Sequence, residues 1–263
     1  MQVPAGATLQ LVDNGADIGT VDVGDEIIVT SESGVLRTYT VVADSSISLL
    51  RPVTDTGFNL PGLSDGDNLT DNDLDTLWAA MYFSPLDVDI NLQQVYYIDK
   101  VVMKRGDSST EHPGTTTFDI GTHTVVVDYE KVVSVTDWEP AEAPFEEGFT
   151  IGAVDKNVML KVANVHNIPV SFTTNKMNIM LADLSVYGGM IYSSGVAFDY
   201  ENHTITLGGI STEVDLLAEL QKASTNVNIN IEAADNTALQ AGDKVTATRS
   251  VEGLTFREEY TLQ

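Results

Sequence analysis

The sequence predicts a mainly β protein in which a central β-sandwich lies between a small β module and an α+β module. Short segments of alternating polar and apolar residues recur along the chain and are separated by Gly, Pro and Asp turns. A hairpin pattern occurs near both ends, and a helical spacing of apolar residues is found near the C-terminal end. With 263 residues, 43% of them hydrophobic, the chain is long enough for two or three small domains with a substantial core.

The two ends of the chain carry an internal repeat with the pattern of a β-hairpin. Near the start, Gly24-Asp25 precedes a strand candidate, a Gly turn and a second strand that ends in Tyr39-Thr40-Val41. Near the end, Gly242-Asp243 precedes the same succession, which closes on Tyr260-Thr261-Leu262. Glycine supplies the positive φ that such a turn needs, and the alternation places one face of each strand on a core.

Further strand candidates precede both hairpins. There is one before the first hairpin and three before the second, at residues 7–12, 196–200, 204–207 and 227–232. A helix is predicted from Thr212 to about Ala223, because Thr212 and Asp215 have the spacing of a capping box. The helix is expected to turn one mostly apolar face to the core, formed by Val214, Leu217, Ala218 and Gln221.

Residues 190–263 therefore match a complete ββαβββ unit, and residues 1–50 match only its second half. This small module resembles repeats of large bacterial surface and polysaccharide-acting proteins, in which a Tyr-Thr hairpin closes each unit. The resemblance implies that the chain is a piece of a multi-module extracellular protein or is built like one. Alternatively, the N-terminal half-module completes itself against another subunit.

Charge and composition exclude several classes of partner and site. The chain has 39 Asp plus Glu against 13 Lys plus Arg, a net charge of −26, which disfavours nucleic acid and anionic membranes. The apolar runs are too short to cross a bilayer, and residues 1–20 do not have the pattern of a signal peptide. The absence of cysteine excludes disulfides, thiol nucleophiles and Cys-ligated metals.

The middle of the chain carries the motifs of a domain family. Residues 69–78 form an acidic loop that ends in Thr-Leu-Trp, and residues 181–188 read Leu-Ala-Asp-Leu-Ser-Val-Tyr-Gly. Together with the strand candidates 87–92 and 97–103, they resemble a discoidin-like domain, also called F5/8 type C or galactose-binding-like. The resemblance implies a central jelly-roll β-sandwich that acts as a non-catalytic binding or spacer domain. Together with the internal repeat, this predicts three domains: a small β half-module (1–54), the sandwich (55–189) and an α+β repeat module (190–263).

Two positions depart from the family pattern. Gln93 stands where the family usually has Gly after an aspartate-leucine strand, and Asp71-Asn72 replaces an Asp-Gly pair. The second departure is mild, because Asn tolerates the left-handed backbone conformation that Gly would adopt. Trp78 is expected in the core, as in the family.

The resemblance also implies a structural calcium between the acidic loop and the last strand. A hard cation takes six to eight oxygen ligands, which a loop rich in Asp supplies. Carried over by position, the ligands would be carboxylates of Asp71, Asp73 and Asp183, a Thr76 oxygen and the carbonyls of Asn68 and Ala182. The alternative is an acidic turn that caps itself through Asx hydrogen bonds.

A sugar site is expected on the loops at one end of the sandwich. In sugar-binding relatives, such loops offer His, Arg, Asn and an aromatic platform. The candidates here are Arg105 and His112 in the loop after Met103, with Tyr82 or Phe83 as the ring on which a sugar face would stack. The alternative is that these are ordinary polar loop residues. The Arg105-Gly106-Asp107 triplet is interpreted as a turn rather than an adhesive motif.

The sequence indicates no enzyme. The four histidines are scattered without zinc-ligand spacing, and neither a Gly-x-Ser-x-Gly elbow nor a phosphate-binding Gly loop occurs. Carboxylate pairs are common, but Glu146-Glu147 and Glu258-Glu259 are expected to be solvated loop or edge charges.

The sequence thus predicts a non-catalytic binding or spacer module of an extracellular or cell-surface protein. A glycan is the expected ligand, calcium would stiffen the fold, and neither nucleic acid nor membrane insertion is expected. The alternative is a structural protein of a virion, such as a decoration, neck or fibre component. That alternative predicts self-assembly through large apolar interfaces, whereas the first allows contacts with neighbouring modules.

Overall fold

The structure is a computed structural model in which the chain divides into two compact units, residues 1–44 and 45–263. The residues that the structure describes are 8–12, 26–40, 46–55, 66–76, 78–80, 86–105, 116–125, 128–138, 144–162, 179–233, 238–251 and 254–263.

The first unit contains a three-stranded antiparallel sheet. Its strands, in spatial order, are β1 (Thr8–Val12), β2 (Glu26–Thr30) and β3 (Leu36–Thr40). In the turn between β2 and β3, the Gly34 N–H donates to the Ser31 carbonyl at 2.8 Å, and Gly34 has a φ of 82°. The predicted N-terminal hairpin and the strand before it are therefore confirmed, with glycine at the positive φ that the turn requires.

The sandwich occupies the first part of the second unit. Its strands are β4 (Val53–Asp55), β5 (Trp78–Ala80), β6 (Leu86–Arg105), β7 (Thr116–His123), β8 (Glu130–Trp138), β9 (Phe145–Val162), β10 (Ile179–Leu181) and β11 (Asp183–Gly189). The main sheet has the order β11-β6-β9-β7-β8, with β4 beside β6, and β10 pairs with β5 in a second sheet. All of these pairs are antiparallel, which confirms a mainly β sandwich.

Two long strands, β6 and β9, run the length of the main sheet and bend at bulges. From Leu86 to Leu92, alternate residues of β6 are buried, because one face of the strand packs on the core. The register between β6 and β9 then shifts between Asn91 and Tyr96. Gln93, inside this bulge, has a φ of 67°, and its N–H donates to Asn91 Oδ1 at 2.8 Å. Gln93 thus adopts the left-handed conformation for which the family uses Gly.

A single apolar core connects the sandwich with the C-terminal module. Trp78 is 1% exposed, which confirms its expected place in the core, and its indole N–H donates to Asp55 Oδ2 at 3.1 Å. Phe118 makes edge-on contacts with Trp138 and Phe149 at centroid distances of 5.3 and 5.5 Å. Such edge-to-face pairs stabilise a core by about 1 kcal/mol each beyond the area they bury.

The C-terminal module is the predicted ββαβββ unit with one additional short sheet. Its elements are β12 (Ile191–Tyr192), β13 (Ala197–Asp199), β14 (Thr204–Thr206), α1 (Glu213–Glu219), β15 (Gln221–Lys222), β16 (Val227–Glu232), β17 (Lys244–Val251) and β18 (Leu254–Leu262). The main sheet has the order β13-β14-β18-β17-β16, and β14 runs parallel to β18. The short strands β12 and β15 pair with each other.

The helical face predicted from the sequence is wrong. Val214 is 77% exposed and Leu217 is 45% exposed, whereas Leu216 is fully buried and Leu220 is 8% exposed. The helix ends at Glu219, because Leu220 has an extended backbone and Gln221 already pairs with β12. Leu216 and Leu220 form a competing apolar face, four residues apart, and it is this face that packs into the core.

Residues 46–55 belong to the sandwich rather than to the first unit. Ser46 forms a β-bridge with Tyr187, and Val53 pairs with Ile90. The unit boundary at residues 44/45 therefore differs from the predicted boundary at 54/55. None of the helices in the described residues is long and apolar enough to cross a membrane.

Candidate functional site

The two ends of the family motif meet in the structure. Trp78, at the end of the acidic loop, pairs with Leu181 in the antiparallel register of β5 and β10. The next residue, Ala182, is fully buried, and its N–H donates to the Lys104 carbonyl at 2.7 Å. The acidic loop and the Asp-Leu-Ser-Val-Tyr-Gly strand, separated by about a hundred residues in the sequence, are thereby anchored to adjacent strands.

The acidic loop caps itself. The Thr76 hydroxyl donates to Asp71 Oδ2 and contacts the Asp73 carbonyl, both at 2.9 Å. The backbone N–H groups of Asp73 and Asp75 donate to the carboxylates of Asp71 and Asp73, each at 3.0 Å. Asn72, with a φ of 55°, adopts the left-handed conformation expected for it. These are the Asx hydrogen bonds of a self-capped turn, and they gather oxygen atoms on the loop side of the predicted calcium site.

The strand side of the predicted site is different. Asp183 is 2% exposed, its carboxylate accepts a hydrogen bond from the Ser185 hydroxyl, and Lys104 Nζ lies 3.6 Å away. Burial lowers the pKa of Lys104, but the hydrogen bond to Tyr187 and the charges of Tyr187 and Asp183 outweigh it and raise the pKa. Lys104 is therefore cationic. The loop oxygens suit a hard cation, whereas Asp183 does not, because Lys104 already balances its charge.

The predicted sugar site is only partly described. Arg105 is the last residue of β6, pairs with Phe145 and is 2% exposed, so it lies in a strand rather than in a loop. His112, Tyr82 and Phe83 lie outside the described residues, as does the rest of the Arg-Gly-Asp triplet. A buried guanidinium would reach a ligand only after rearrangement, which favours a structural role for Arg105.

A cluster of aromatic side chains lies where the C-terminal module packs on β6. Tyr97 of β6 stacks on Tyr192 of β12 with 4.6 Å between ring centroids and 4° between ring planes. Phe198 stacks on Tyr200 at 5.2 Å. Tyr97, Tyr192 and Phe198 are each partly exposed to solvent, whereas Tyr200 is buried. This cluster, which we call the tyrosine junction, places partly exposed ring surface between the sandwich and the module.

Carboxylates surround the tyrosine junction. Burial raises the pKa of Asp99, the charge of Lys100 opposes that shift, and the charge of Asp199 adds to it. The Asp99 carboxylate accepts no hydrogen bond from the part of the chain that the structure describes. Lys100 Nζ donates to Glu201 Oε2 at 2.9 Å across the junction. Asp99 therefore offers free acceptor oxygens beside the tyrosine rings.

Glu258 corrects another expectation, since it is not a solvated edge charge. Its Oε2 accepts hydrogen bonds from the Met190 N–H at 2.6 Å and from the Tyr260 hydroxyl at 3.1 Å. Burial raises the pKa of Glu258 to about 7, although both hydrogen bonds and the charge of Arg249 oppose that shift. The alternating sequence of β18 does not reveal this burial, because Gly189 and Met190, which approach the carboxyl group, lie outside the hairpin.

The outer face of the main sheet holds buried polar groups that the sequence did not single out. His123 is 2% exposed, and its Nε2 lies 3.1 Å from Asp89 Oδ1, but neither ring nitrogen forms a hydrogen bond. Tyr129 packs on Gly121, where a Cβ atom would collide with its ring, and burial raises the pKa of Tyr129 to about 12. Among the described residues, no group of three or more His, Asp or Glu is placed to hold a metal ion.

Comparisons with known proteins find structural neighbours only. No family model and no curated protein matches the chain. Among solved structures, chitosan-binding module 2 of a chitosanase/glucanase from Paenibacillus sp. IK-5, in complex with chitotriose, is 19% identical, with a TM-score of 0.42 over 54% of this chain and 99% of that one. A CBM32 module of Clostridium perfringens, in complex with GalNAc-β-1,3-galactose, is 14% identical, with a TM-score of 0.43 over 55% and 99%.

A fucose-binding module of Streptococcus pneumoniae is also similar, with 17% identity and a TM-score of 0.39 over 54% of this chain and 96% of that one. These neighbours are carbohydrate-binding modules, the kind of domain that the discoidin-like resemblance indicated.

Proposed function

We propose that the protein is a non-catalytic, carbohydrate-directed binding module of an extracellular or cell-surface protein. The observation that carries this proposal is the tyrosine junction, where the stacked and partly exposed rings of Tyr97 and Tyr192 lie beside the Asp99 carboxylate, which accepts no hydrogen bond from the described residues. The meeting of Trp78 and Leu181 at adjacent strands supports the discoidin-like arrangement from which a binding role was inferred.

The chemistry of the tyrosine junction suits a sugar. The faces of pyranose rings carry C–H groups that pack against aromatic rings, and their hydroxyl groups donate hydrogen bonds to carboxylates. Asp99 accepts such bonds at low cost, because its carboxylate is already partly desolvated and has no competing donor among the described residues. The Lys100–Glu201 ion pair, with 2.9 Å between Nζ and Oε2, links β6 to the C-terminal module beside these rings.

A glycan array probed with the full chain, followed by calorimetry on the strongest hit, tests this proposal. We expect Tyr192→Ala to weaken binding by about tenfold, the equivalent of one lost stacking contact, and Tyr192→Phe to bind as the wild type does. An Asp99→Asn variant should also weaken binding, because it replaces an acceptor-only group. An unchanged melting temperature in each variant separates loss of the site from loss of the fold.

Variants of the loop residues that the sequence predicted test the alternative location of the glycan site. If Tyr82→Ala or His112→Ala abolishes binding while Tyr192→Ala does not, the glycan binds at the loops predicted from the sequence. If no glycan binds and the chain assembles into stable oligomers, the carbohydrate proposal is wrong, and the virion structural role becomes the better interpretation.

We further propose that the acidic loop binds calcium, a role favoured by the close approach of oxygen atoms from Asp71, Asp73 and Thr76. Calcium should then raise the melting temperature relative to chelator, because it binds only the folded state. We expect Asp71→Asn to remove this shift. Lys104→Met should enlarge it, because the Asp183 carboxylate would lose its present counter-charge. Equal melting temperatures of the wild type in calcium and in chelator would contradict the proposal.

A further inference from the structure

The N-terminal sheet and part of the C-terminal sheet have the same strand register. In the first unit, Ile27 of β2 pairs with Tyr39 of β3, and Glu26 pairs with Thr40. In the C-terminal module, Val245 of β17 pairs with Tyr260 of β18, and Lys244 pairs with Thr261. The Tyr-Thr pair that ends each hairpin therefore occupies the same place in both sheets.

The third strand extends this correspondence. Leu11 of β1 pairs with Ile27, and Ile231 of β16 pairs with Val245, so the strand before each hairpin lies at the same register as well. The series β1-β2-β3 thus corresponds residue by residue to β16-β17-β18. The segment that covers the outer edge of β18 therefore indicates what kind of segment fits the outer edge of β3.

The outer edge of β18 is covered by a parallel strand. Thr204 and Ile205 of β14 pair with Thr261 and Leu262 of β18. The Thr261 N–H donates to the His203 carbonyl at 3.0 Å, and the Gln263 N–H donates to the Ile205 carbonyl at 2.9 Å. Ile205 is fully buried and Tyr260 is 1% exposed, so the covering strand both satisfies the edge and completes the core.

The outer edge of β3 has no such cover in the described part of the first unit. β3 is an edge strand of a three-stranded sheet, and β2 is its only described partner. Because Thr40 corresponds to Thr261, its backbone N–H is expected to point away from β2. Leu36, at the start of β3, is 65% exposed, and Val35 beside it is 60% exposed. An edge of this kind is a template for an additional strand.

We propose that the outer edge of β3 is a docking site for a β-hairpin followed by a helix, supplied by a neighbouring repeat module. The segment has the pattern of residues 195–223, and its second strand pairs in parallel with β3, as β14 does with β18. This occupant is favoured over a lone strand because in the C-terminal module β14 is followed by α1, and both belong to the same apolar core. Each contributes a fully buried residue, Ile205 and Leu216 respectively.

A labelled synthetic peptide with the sequence of residues 195–223 tests the proposal in fluorescence anisotropy with the full chain. Saturable binding to the wild type is expected, and an Ile205→Asp peptide should not bind. Thr40→Pro should weaken binding at least about tenfold, since it removes the backbone donor directed at the partner. Thr40→Val keeps that donor and should bind as the wild type does.

Three results would overturn the proposal. The first is that the peptide fails to bind the wild type. The second is that Thr40→Pro and the wild type bind the peptide equally well, which would show that the peptide binds away from β3. One such place is the C-terminal module, although the chain's own residues 195–223 outcompete the peptide there. The third is that the wild type is a dimer that the peptide dissociates, in which case the occupant is a second copy. Hydrogen exchange of residues 26–30 verifies that β2 persists in Thr40→Pro.

Discussion

The three-stranded sheet of the first unit and the five-stranded sheet of the C-terminal module are built on the same hairpin but differ in what covers it. Tyr39 and Tyr260 take equivalent positions opposite Ile27 and Val245. In the C-terminal module, the strands β13 and β14 continue the sheet beyond the hairpin, and Tyr260 is 1% exposed. A local hairpin pattern thus specifies strands and register, whereas the burial of its edge depends on segments from outside the hairpin.

The cover also changes the chemistry of the hairpin. Glu258 pairs with Ala247 in β17, the register position that Arg37 occupies opposite Val29 in the first unit. At that position, the C-terminal module encloses a carboxyl group and raises its pKa to about 7. Burial therefore gives one copy of the repeat a carboxyl group that titrates near neutral pH at a position where the other copy has Arg37.

The largest expected effect follows from removing the contact between cover and hairpin. Ile205 is fully buried in β14, where it pairs with Leu262. Ile205→Ala should lower the free energy of unfolding of the C-terminal module by about 3 kcal/mol, because it deletes buried methyl groups and leaves a cavity. Native-state hydrogen exchange of β17 and β18 measures this change.

An exposed residue of the same module provides the control for Ile205→Ala. Val214 is 77% exposed on α1, so Val214→Ala should change stability by no more than about 0.5 kcal/mol. Exchange rates of β2 and β3 should stay the same in both variants if the first unit is stabilised separately. Equal loss of protection in β2 and β17 would show instead that the two hairpins unfold together.

Glu258 predicts a pH dependence confined to the second unit. A raised carboxyl pKa means that the folded state holds the proton more tightly than the unfolded chain does. The contribution is therefore fully present below pH 4.5 and is lost as the pH rises to about 7. The difference between the folded and unfolded pKa of Glu258 corresponds to at most about 3 kcal/mol of unfolding free energy. Urea unfolding between pH 4.5 and 8 measures it.

The Glu258→Gln variant separates this effect from the general repulsion in a chain of net charge −26. The amide keeps the shape of the side chain and does not titrate, so the slope of stability against pH should decrease between pH 4.5 and 7. Exchange of β2 should show no such difference between variant and wild type, because Arg37 occupies the equivalent position. An identical slope in variant and wild type would mean that Glu258 is hydrated when folded.

The features that the sequence predicted correctly are those set by local patterns. Alternation and Gly turns located both hairpins, and the left-handed conformation of Asn72 followed from its tolerance of positive φ. The features that it missed depend on distant contacts. The predicted apolar face of α1 was wrong because Leu216 and Leu220 offer a competing apolar face, and contacts outside the helix decide which face is buried. Glu258 was placed in solvent because its enclosing groups include Met190, sixty-eight positions away.

In the candidate site, too, the sequence predicted local features and missed distant contacts. The motif ends at Trp78 and Leu181 were recognisable from residue types alone, and the structure pairs them. The partners of Asp183 were not recognisable from the sequence, because Lys104 belongs to a strand whose register with β11 cannot be read from residue spacing. Tyr97 and Tyr192 were also missed, since ninety-five residues separate two rings that stack only when β12 lies beside β6.

The smallest expected effect concerns the start of α1, which has no counterpart in the first unit's described sheet. The Asp215 N–H donates to Thr212 Oγ1 at 3.2 Å, and the Thr212 hydroxyl donates to Asp215 Oδ2 at 2.7 Å. Thr212→Ala should therefore cost about 1 kcal/mol, measured by urea unfolding, whereas Thr212→Ser should be nearly neutral. If Thr212→Ala speeds hydrogen exchange only at Leu216 and Leu220, the helix opens independently of the sheet. If β14 and β18 also lose protection, hairpin and helix form one cooperative cover, as docking at β3 would require.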